Sequence, residues 1–175
     1  MRNRSLPTLR TDVQPTLLLA LTLWTFVVPA SGCGGKPHER SVVQLDQMLA
    51  SDDPRTQAQA AFGLGLHAGD AESAIPTLVG ALKSEDVLVR QQACLALGKI
   101  GSKGPTAIAA LKAALGDPEW VIRRQAALAL GQIRPPLHMI EAALTVCERD
   151  RSAPVRKAAK DALVSIRATT SATKK

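Results

Sequence analysis

The sequence predicts an all-α solenoid of about four helical hairpins, stacked side by side into a superhelix. Three observations predict it: residues that recur every 33 positions, an apolar pattern of helical spacing inside each interval, and a composition dominated by alanine and leucine. Aromatic residues are 2% of the 175 and tyrosine is absent. A core without large rings must be filled by many small, closely spaced helix contacts, and the chain is long enough to bury one.

The first element is an apolar leader. Arg2, Arg4 and Arg10 stand against a single acid, Asp12, and are followed by the uncharged run TLLLALTLWTFVVPA and then by Ala30-Ser31-Gly32-Cys33. A basic stretch, an apolar stretch too short to span comfortably and small residues at a cut site predict a secretory signal over residues 1–32. Its removal would take away three basic residues and one acid and lower the net charge from +7 to +5. Residues 33–40 then form a short linker.

The array follows over 41–167. VRQQACLALGKI at 89–100 returns 33 residues later as IRRQAALALGQI at 122–133. Ala60, Ala93, Ala126 and Ala159 share one column of the repeat. Leu64, Leu97, Leu130 and Leu163 share a second, and Leu45, Leu78, Leu111 and Leu144 a third. A fourth holds Arg90, Arg123 and Arg156, with Gln57 in the first copy. The copies span approximately 41–70, 71–103, 104–135 and 136–167. In the second copy, Ile75, Leu78, Val79 and Leu82 lie on one helical face, and after Ser84-Glu85-Asp86 so do Val89, Ala93, Ala96, Leu97 and Ile100. Glycine and proline at the breaks are the expected helix punctuation. A copy alone cannot bury its apolar face, whereas four stacked copies share a continuous core. The last copy carries Glu148 where Leu49, Leu82 and Leu115 stand, and Asp161 in the column of Phe62, Leu95 and Leu128. Polar replacements of this kind suit a terminal cap. Residues 168–175 are expected to be a disordered tail.

Periods of 33 and 34 also occur in ankyrin and tetratricopeptide arrays, but the Thr-Pro-Leu-His signature of the first and the aromatic positions of the second are missing. DPEWVIRRQAALALGQI, with its acid, its Ile-Arg pair and its Ala-x-x-Ala-Leu-Gly run, resembles short bacterial HEAT repeats, including the phycobilin-lyase type. The resemblance implies a polar ladder between copies, built from a turn aspartate and an arginine six residues on. Asp117 with Arg123 and Asp150 with Arg156 match it; Ser84 with Arg90 and Ser51 with Gln57 make it weak toward the N-terminus. The acid would satisfy helix N-terminal donors and the arginine would neutralise the next acid in line. Ala30-Ser31-Gly32-Cys33 in turn resembles the lipobox of bacterial lipoproteins, with Ala30 where leucine is usual. That resemblance implies a lipid on Cys33 and attachment to a membrane face of the cell envelope, at the outer membrane or the periplasmic side. Without the lipid the product would be periplasmic or secreted.

Chemistry is sparse in this chain. His38, His67 and His138 have no acid or cysteine at ligand spacing, and no zinc, phosphate-loop or Ser-His-Asp motif is present. Neither a metal nor a cofactor is expected. Gly63 and Gly65 lie inside a helical pattern and read as packing. Cys94 and Cys147 fall at different repeat positions, too far apart for a bridge. Trp120 stands at a turn, either covering it or contacting a partner. The polar stripe on the second helix of each copy, facing the concave side, is the candidate partner-binding surface: Gln91, Gln92, Lys99, Arg124, Gln125, Gln132, Lys157 and Lys160. It becomes basic toward the C-terminus, which suits a partner with an acidic face. The favoured reading is a non-catalytic, lipid-anchored scaffold for an unknown envelope protein. Two alternatives stand beside it: a bilin-lyase-like enzyme or accessory factor, and a HEAT-like nucleic-acid binder. Export, scarce aromatics and modest charge oppose the latter, so no nucleic acid is expected.

Overall fold

The computed structural model describes residues 40–101 and 104–172, with side chains to residue 168. Among the described residues eight α-helices run in order: α1 Val42–Leu49, α2 Pro54–Leu66, α3 Ile75–Ala81, α4 Val87–Ile100, α5 Pro105–Ala114, α6 Trp120–Ile133, α7 Leu137–Cys147 and α8 Ala153–Ala172. A short 3-10 helix, Ala71–Ala74, leads into α3. No strand occurs among the described residues. Each odd helix and the even helix after it form one hairpin, and the four hairpins pack in chain order as an α-solenoid.

Local chemistry sets the helix limits. Ser41 caps α1 in a reciprocal box with Gln44, and Asp53 and Asp86 cap α2 and α4 by accepting from the backbone N–H groups of the first turn. Pro54 and Pro105 open α2 and α5, where a missing N–H costs nothing. Gly101 closes α4 in the left-handed conformation at φ 68°. Arg134 takes the same role after α6 at φ 50°, without glycine's freedom.

The columns of the repeat form the core. Leu45, Leu78, Leu111 and Leu144 are buried on the first helices; Ala60, Ala93, Ala126 and Ala159 are buried on the second, as are Leu64, Leu97, Leu130 and Leu163. Second helices lie directly on one another, α2 on α4, α4 on α6 and α6 on α8. Glycine permits this closeness. A Cβ placed on Gly65, Gly98 or Gly131 would lie 3.2, 2.9 or 3.1 Å from the Cα of Ala96, Ala129 or Ala162 on the next second helix.

The polar ladder has the form that the resemblance implies, each arginine meeting the acid of the following copy, but it reaches further toward the N-terminus than expected. The guanidinium of Arg90 grips the carboxylate of Asp117 at 2.9 and 3.2 Å, and that of Arg123 grips Asp150 at 2.7 and 3.0 Å. Each rung therefore joins consecutive copies across 27 positions, and the arginine six residues after an aspartate is not that aspartate's ionic partner. Within its own copy the arginine holds backbone: Arg90 donates to the carbonyls of Ser84 and Glu85, Arg123 to those of Asp117 and Pro118, and Arg156 to those of Asp150 and Arg151. Arg90, expected to be weakly tied through Ser84, is fully engaged because its acid comes from the following copy. Gln57 bonds the carbonyl of Ser51, and the next copy has Ser84 at the position where the later copies have an acid. Ser51, Ser84, Asp117 and Asp150 all accept the N–H two residues on, so the column keeps one local task while only its aspartates add the rung.

The expected tail at 168–175 also needs correction, since α8 continues to Ala172. RATTSA holds no proline or glycine to stop a helix, and Arg167 tethers this end to Glu141 of α7 at 3.0 Å. The leader at 1–32, Cys33, the linker at 33–40 (apart from Arg40) and His38 lie outside the described residues.

Candidate interaction face

One surface of the second-helix layer is not covered by first helices, and the repeat places four residues of each copy on it. Read across α2, α4, α6 and α8, these columns run Arg55, Leu88, Val121, Pro154; then Ala58, Gln91, Arg124, Lys157; then Gln59, Gln92, Gln125, Ala158; then Phe62, Leu95, Leu128, Asp161. The predicted stripe falls largely here. Gln91, Gln92 and Gln125 are half-buried, while Lys99, Arg124, Gln132, Lys157 and Lys160 are exposed. The ladder residues Arg90, Asp117, Arg123, Asp150 and Arg156 lie on the turn side, apart from this stripe.

Two grooves cut into the face. The one between α2 and α4 has a volume of about 410 Å³ and is lined by Arg55, Ala58, Gln59, Phe62, Leu88 and Gln92. The one between α6 and α8 is about 490 Å³, and Arg124, Leu128, Pro154, Lys157, Ala158 and Asp161 line it. They are the same feature two copies apart, with one charged side chain, Arg55, at the first and three, Arg124, Lys157 and Asp161, at the second. The ammonium of Lys99 sits 5.8 Å from the centre of the Phe62 ring, close enough for a cation–π contact. Gln132 reaches over Gly98, with its Oε1 2.7 Å from where a Cβ would stand.

Two assignments made from the sequence shift. Lys160 belongs to the column of Ala61, Cys94 and Ala127, all buried; it is exposed because no second helix among the described residues packs on this side of α8, so it lies beside the face. Asp161 is not the feature that caps the array, since Phe62 in the same column is itself 39% exposed. That column lines the open face in every copy. Val164 marks the end instead: it occupies the column of Gly65, Gly98 and Gly131 and is 68% exposed. The groove at α2 and α4 went unnoticed in the sequence, although Phe62 and Leu88 share a face at 33-residue register.

The remaining chemistry is structural. Cys94 and Cys147 are free and buried. Burial, and secondarily the charge of Asp117, push the Cys94 thiol up to about 12, and burial raises that of Cys147, whose Sγ faces the carbonyl of Leu115 at 3.9 Å. Trp120 opens α6 and is 44% exposed. A wider groove of about 640 Å³ on the turn side, lined by Leu115, Arg123, Val146, Arg149, Asp150 and Arg151 among others, is occupied in part by the Arg123–Asp150 rung. Among the described residues, no group of three or more His, Cys, Asp or Glu could hold a metal ion, and no helix is long and apolar enough to cross a membrane.

A stack of hairpins with alanine–glycine seams and arginine–aspartate rungs defines an α-solenoid repeat protein. The family described as HEAT repeats matches residues 43–131, and the chain belongs to it. No curated protein matches. Among solved structures, human deoxyhypusine hydroxylase in complex with glycerol is 27% identical over 74% of this chain and 44% of its own, with a TM-score of 0.60. An engineered protein is 27% identical over 73% of this chain and 62% of its own, TM-score 0.56. The complex of CpcE and CpcF of phycocyanin lyase from Nostoc sp. is 22% identical over 80% and 57%, TM-score 0.65, a likeness of fold. The chain thus spans less than two thirds of the length of each.

Proposed function

We propose that this chain is a non-catalytic protein-binding scaffold, whose second-helix face takes a partner with an acidic surface, and that a lipid on Cys33 holds it at the bacterial cell envelope. The observation that carries the binding reading is the groove between α6 and α8. Arg124 and Lys157 both line it, both are exposed, and no ion pair among the described residues engages either of them or Lys160. Cations that serve the fold here, Arg90 and Arg123, are spent in rungs; these three are left facing solvent. The buried, protonated thiols of Cys94 and Cys147 offer no thiolate nucleophile at neutral pH, which favours a scaffold over an enzyme. The anchor reading rests on the basic-apolar-small pattern that ends at Cys33.

Replacing Arg124, Lys157 and Lys160 with glutamate should abolish capture of the envelope partner, and capture by the unaltered chain should weaken as salt rises. Helicity and melting should not change, because all three side chains are exposed. Undiminished capture by the triple variant would falsify the binding reading. For the anchor, Cys33→Ser should leave an unprocessed or soluble product. Partition with membranes at the mature mass despite that change would contradict a lipid on Cys33.

A further inference from the structure

The second-helix face is divided lengthwise by character. Two large apolar side chains in the columns of this face are exposed, Phe62 on α2 and Leu88 on α4. Phe62 and Leu88 form opposite walls of the 410 Å³ groove there. The equivalent walls two copies on are Leu128 and Pro154, and the cations Arg124 and Lys157 stand where Ala58 and Gln91 stood. The fold does not need this apolar cluster, since Leu64 and Leu97 already bury the core side of the same helices. One wall of the groove also carries an unmet acceptor: Oε1 of Gln92 is buried without a hydrogen-bond partner.

We infer that the face docks an extended acidic segment of a partner protein, with one large apolar side chain seated between Phe62 and Leu88 and its carboxylates at Arg124 and Lys157. This rests on the reading of the second-helix face as the docking surface and adds the form of what docks. Charge complementarity commits the occupant: an apolar pocket alone would take any hydrophobe, but the same columns form a groove with two cations, Arg124 and Lys157, two copies on. The geometry sets the spacing. From the α2–α4 groove to the α6–α8 groove is two helix-to-helix steps of about 8–10 Å each, so roughly 16–20 Å. An extended chain advances about 3.3 Å per residue, so about five or six residues separate the apolar anchor from the acids. Gln91 and Gln125 lie between the two grooves, half-buried, where side-chain amides can bond the backbone of a chain crossing the helices. Asp161 on the far wall of the basic groove repels an acid that overshoots, which fixes where the carboxylates stop.

The test uses the full chain and synthetic peptides that carry a leucine and an Asp-Glu pair, in both chain directions. One peptide separates the two elements by five residues and a second by one residue. A third replaces the leucine by serine, and a fourth replaces the acids by Asn-Gln. Fluorescence anisotropy at low and high salt reads affinity. The five-residue peptide, in one direction or the other, should bind at least tenfold more tightly than each of the three controls. Leu88→Ser should erase its advantage over the serine peptide while leaving the salt dependence intact. Lys157→Glu should erase its advantage over the Asn-Gln peptide together with the salt dependence. If the spaced peptide binds no better than the serine peptide, and Lys157→Glu still abolishes both, the bipartite segment is wrong and the basic docking face survives. Binding lost in Leu88→Ser but indifferent to Lys157→Glu would sink the basic face itself. No binding by any peptide at millimolar concentration overturns the inference.

Discussion

At position 98 the absence of a single methyl group determines how closely α4 and α6 can lie. A Cβ there would stand 2.9 Å from both Cα and Cβ of Ala129, and the first of these is backbone that cannot rotate away. Alanine is the better helix former by about 1 kcal/mol, yet overpacking a close contact costs about 1–3 kcal/mol. Gly98→Ala should therefore lower stability in urea titration, by up to about 2 kcal/mol net of the propensity gain. Gly80 makes the opposite case within the same chain. It lies in α3 with nothing within 4 Å of a built Cβ, so Gly80→Ala should raise stability by about 0.5–1 kcal/mol. Equal signs for the two variants would mean that the seam between second helices is looser than described. Position 98 also shows how far a single sequence can be read. Its glycine is visible in the Ala-x-x-Ala-Leu-Gly run, but nothing in the run says which helix presses on it; the pressing residue, Ala129, is 31 places away and looks like any other alanine.

Among the elements, the second helices carry the mechanical continuity of the stack, through seams on one side and rungs on the other. Leu97 and Leu130 are fully buried in α4 and α6, and Leu→Ala at either should cost on the order of 2–5 kcal/mol. Arg123→Ala removes one rung and should cost less, about 1–2 kcal/mol, because the rung is near the surface and partly screened. The hydrogen bond from Arg123, helped by the N–H of Ser152 and by nearby positive charge, holds the Asp150 carboxyl below its usual range. A depressed folded-state value means that the rung's contribution is fully present above the unfolded carboxyl value of about 4 and fades as pH falls through the folded one. Melting of the unaltered chain should thus drop more steeply below about pH 4 than that of Arg123→Ala. Parallel curves would show that Asp150 does not feel the guanidinium. The helices and their columns were legible because periodicity is a local property. The rungs were legible in part: the arginine was expected to meet the next acid in line, but Arg90 was expected to be weakly tied because Ser84 stands in its own copy, whereas its acid, Asp117, lies 27 places ahead.

Over the whole molecule, the interaction face is a product of register. Every second helix contributes the same four columns, so substitutions scattered through the sequence accumulate on one surface: apolar at Phe62 and Leu88, amide at Gln91, Gln92 and Gln125, basic at Arg124 and Lys157. The basic end could be read from the columns. The apolar end could not, because exposure decides whether Phe62 and Leu88 are core or contact, and exposure depends on the first helices covering only one side of the layer. Lys160 shows the converse: its column is buried in α2, α4 and α6, and only in α8 does it reach solvent beside the face.

Val164 has a consequence for how such a chain could grow by tandem duplication. The seam passes from each second helix to the next through a glycine, and in α8 that place is filled by an exposed isopropyl group. A block such as 103–135, copied in frame after itself, would carry Gly131 and both halves of a rung to its new neighbour, so the longer array should fold and melt no lower than the original. The block 136–168 copied after itself would press Val164 against the alanine of its own duplicate, and the added hairpin should fray unless Val164→Gly accompanies it. The interior module is thus heritable as a unit, whereas lengthening from the far end requires a second, independent substitution first.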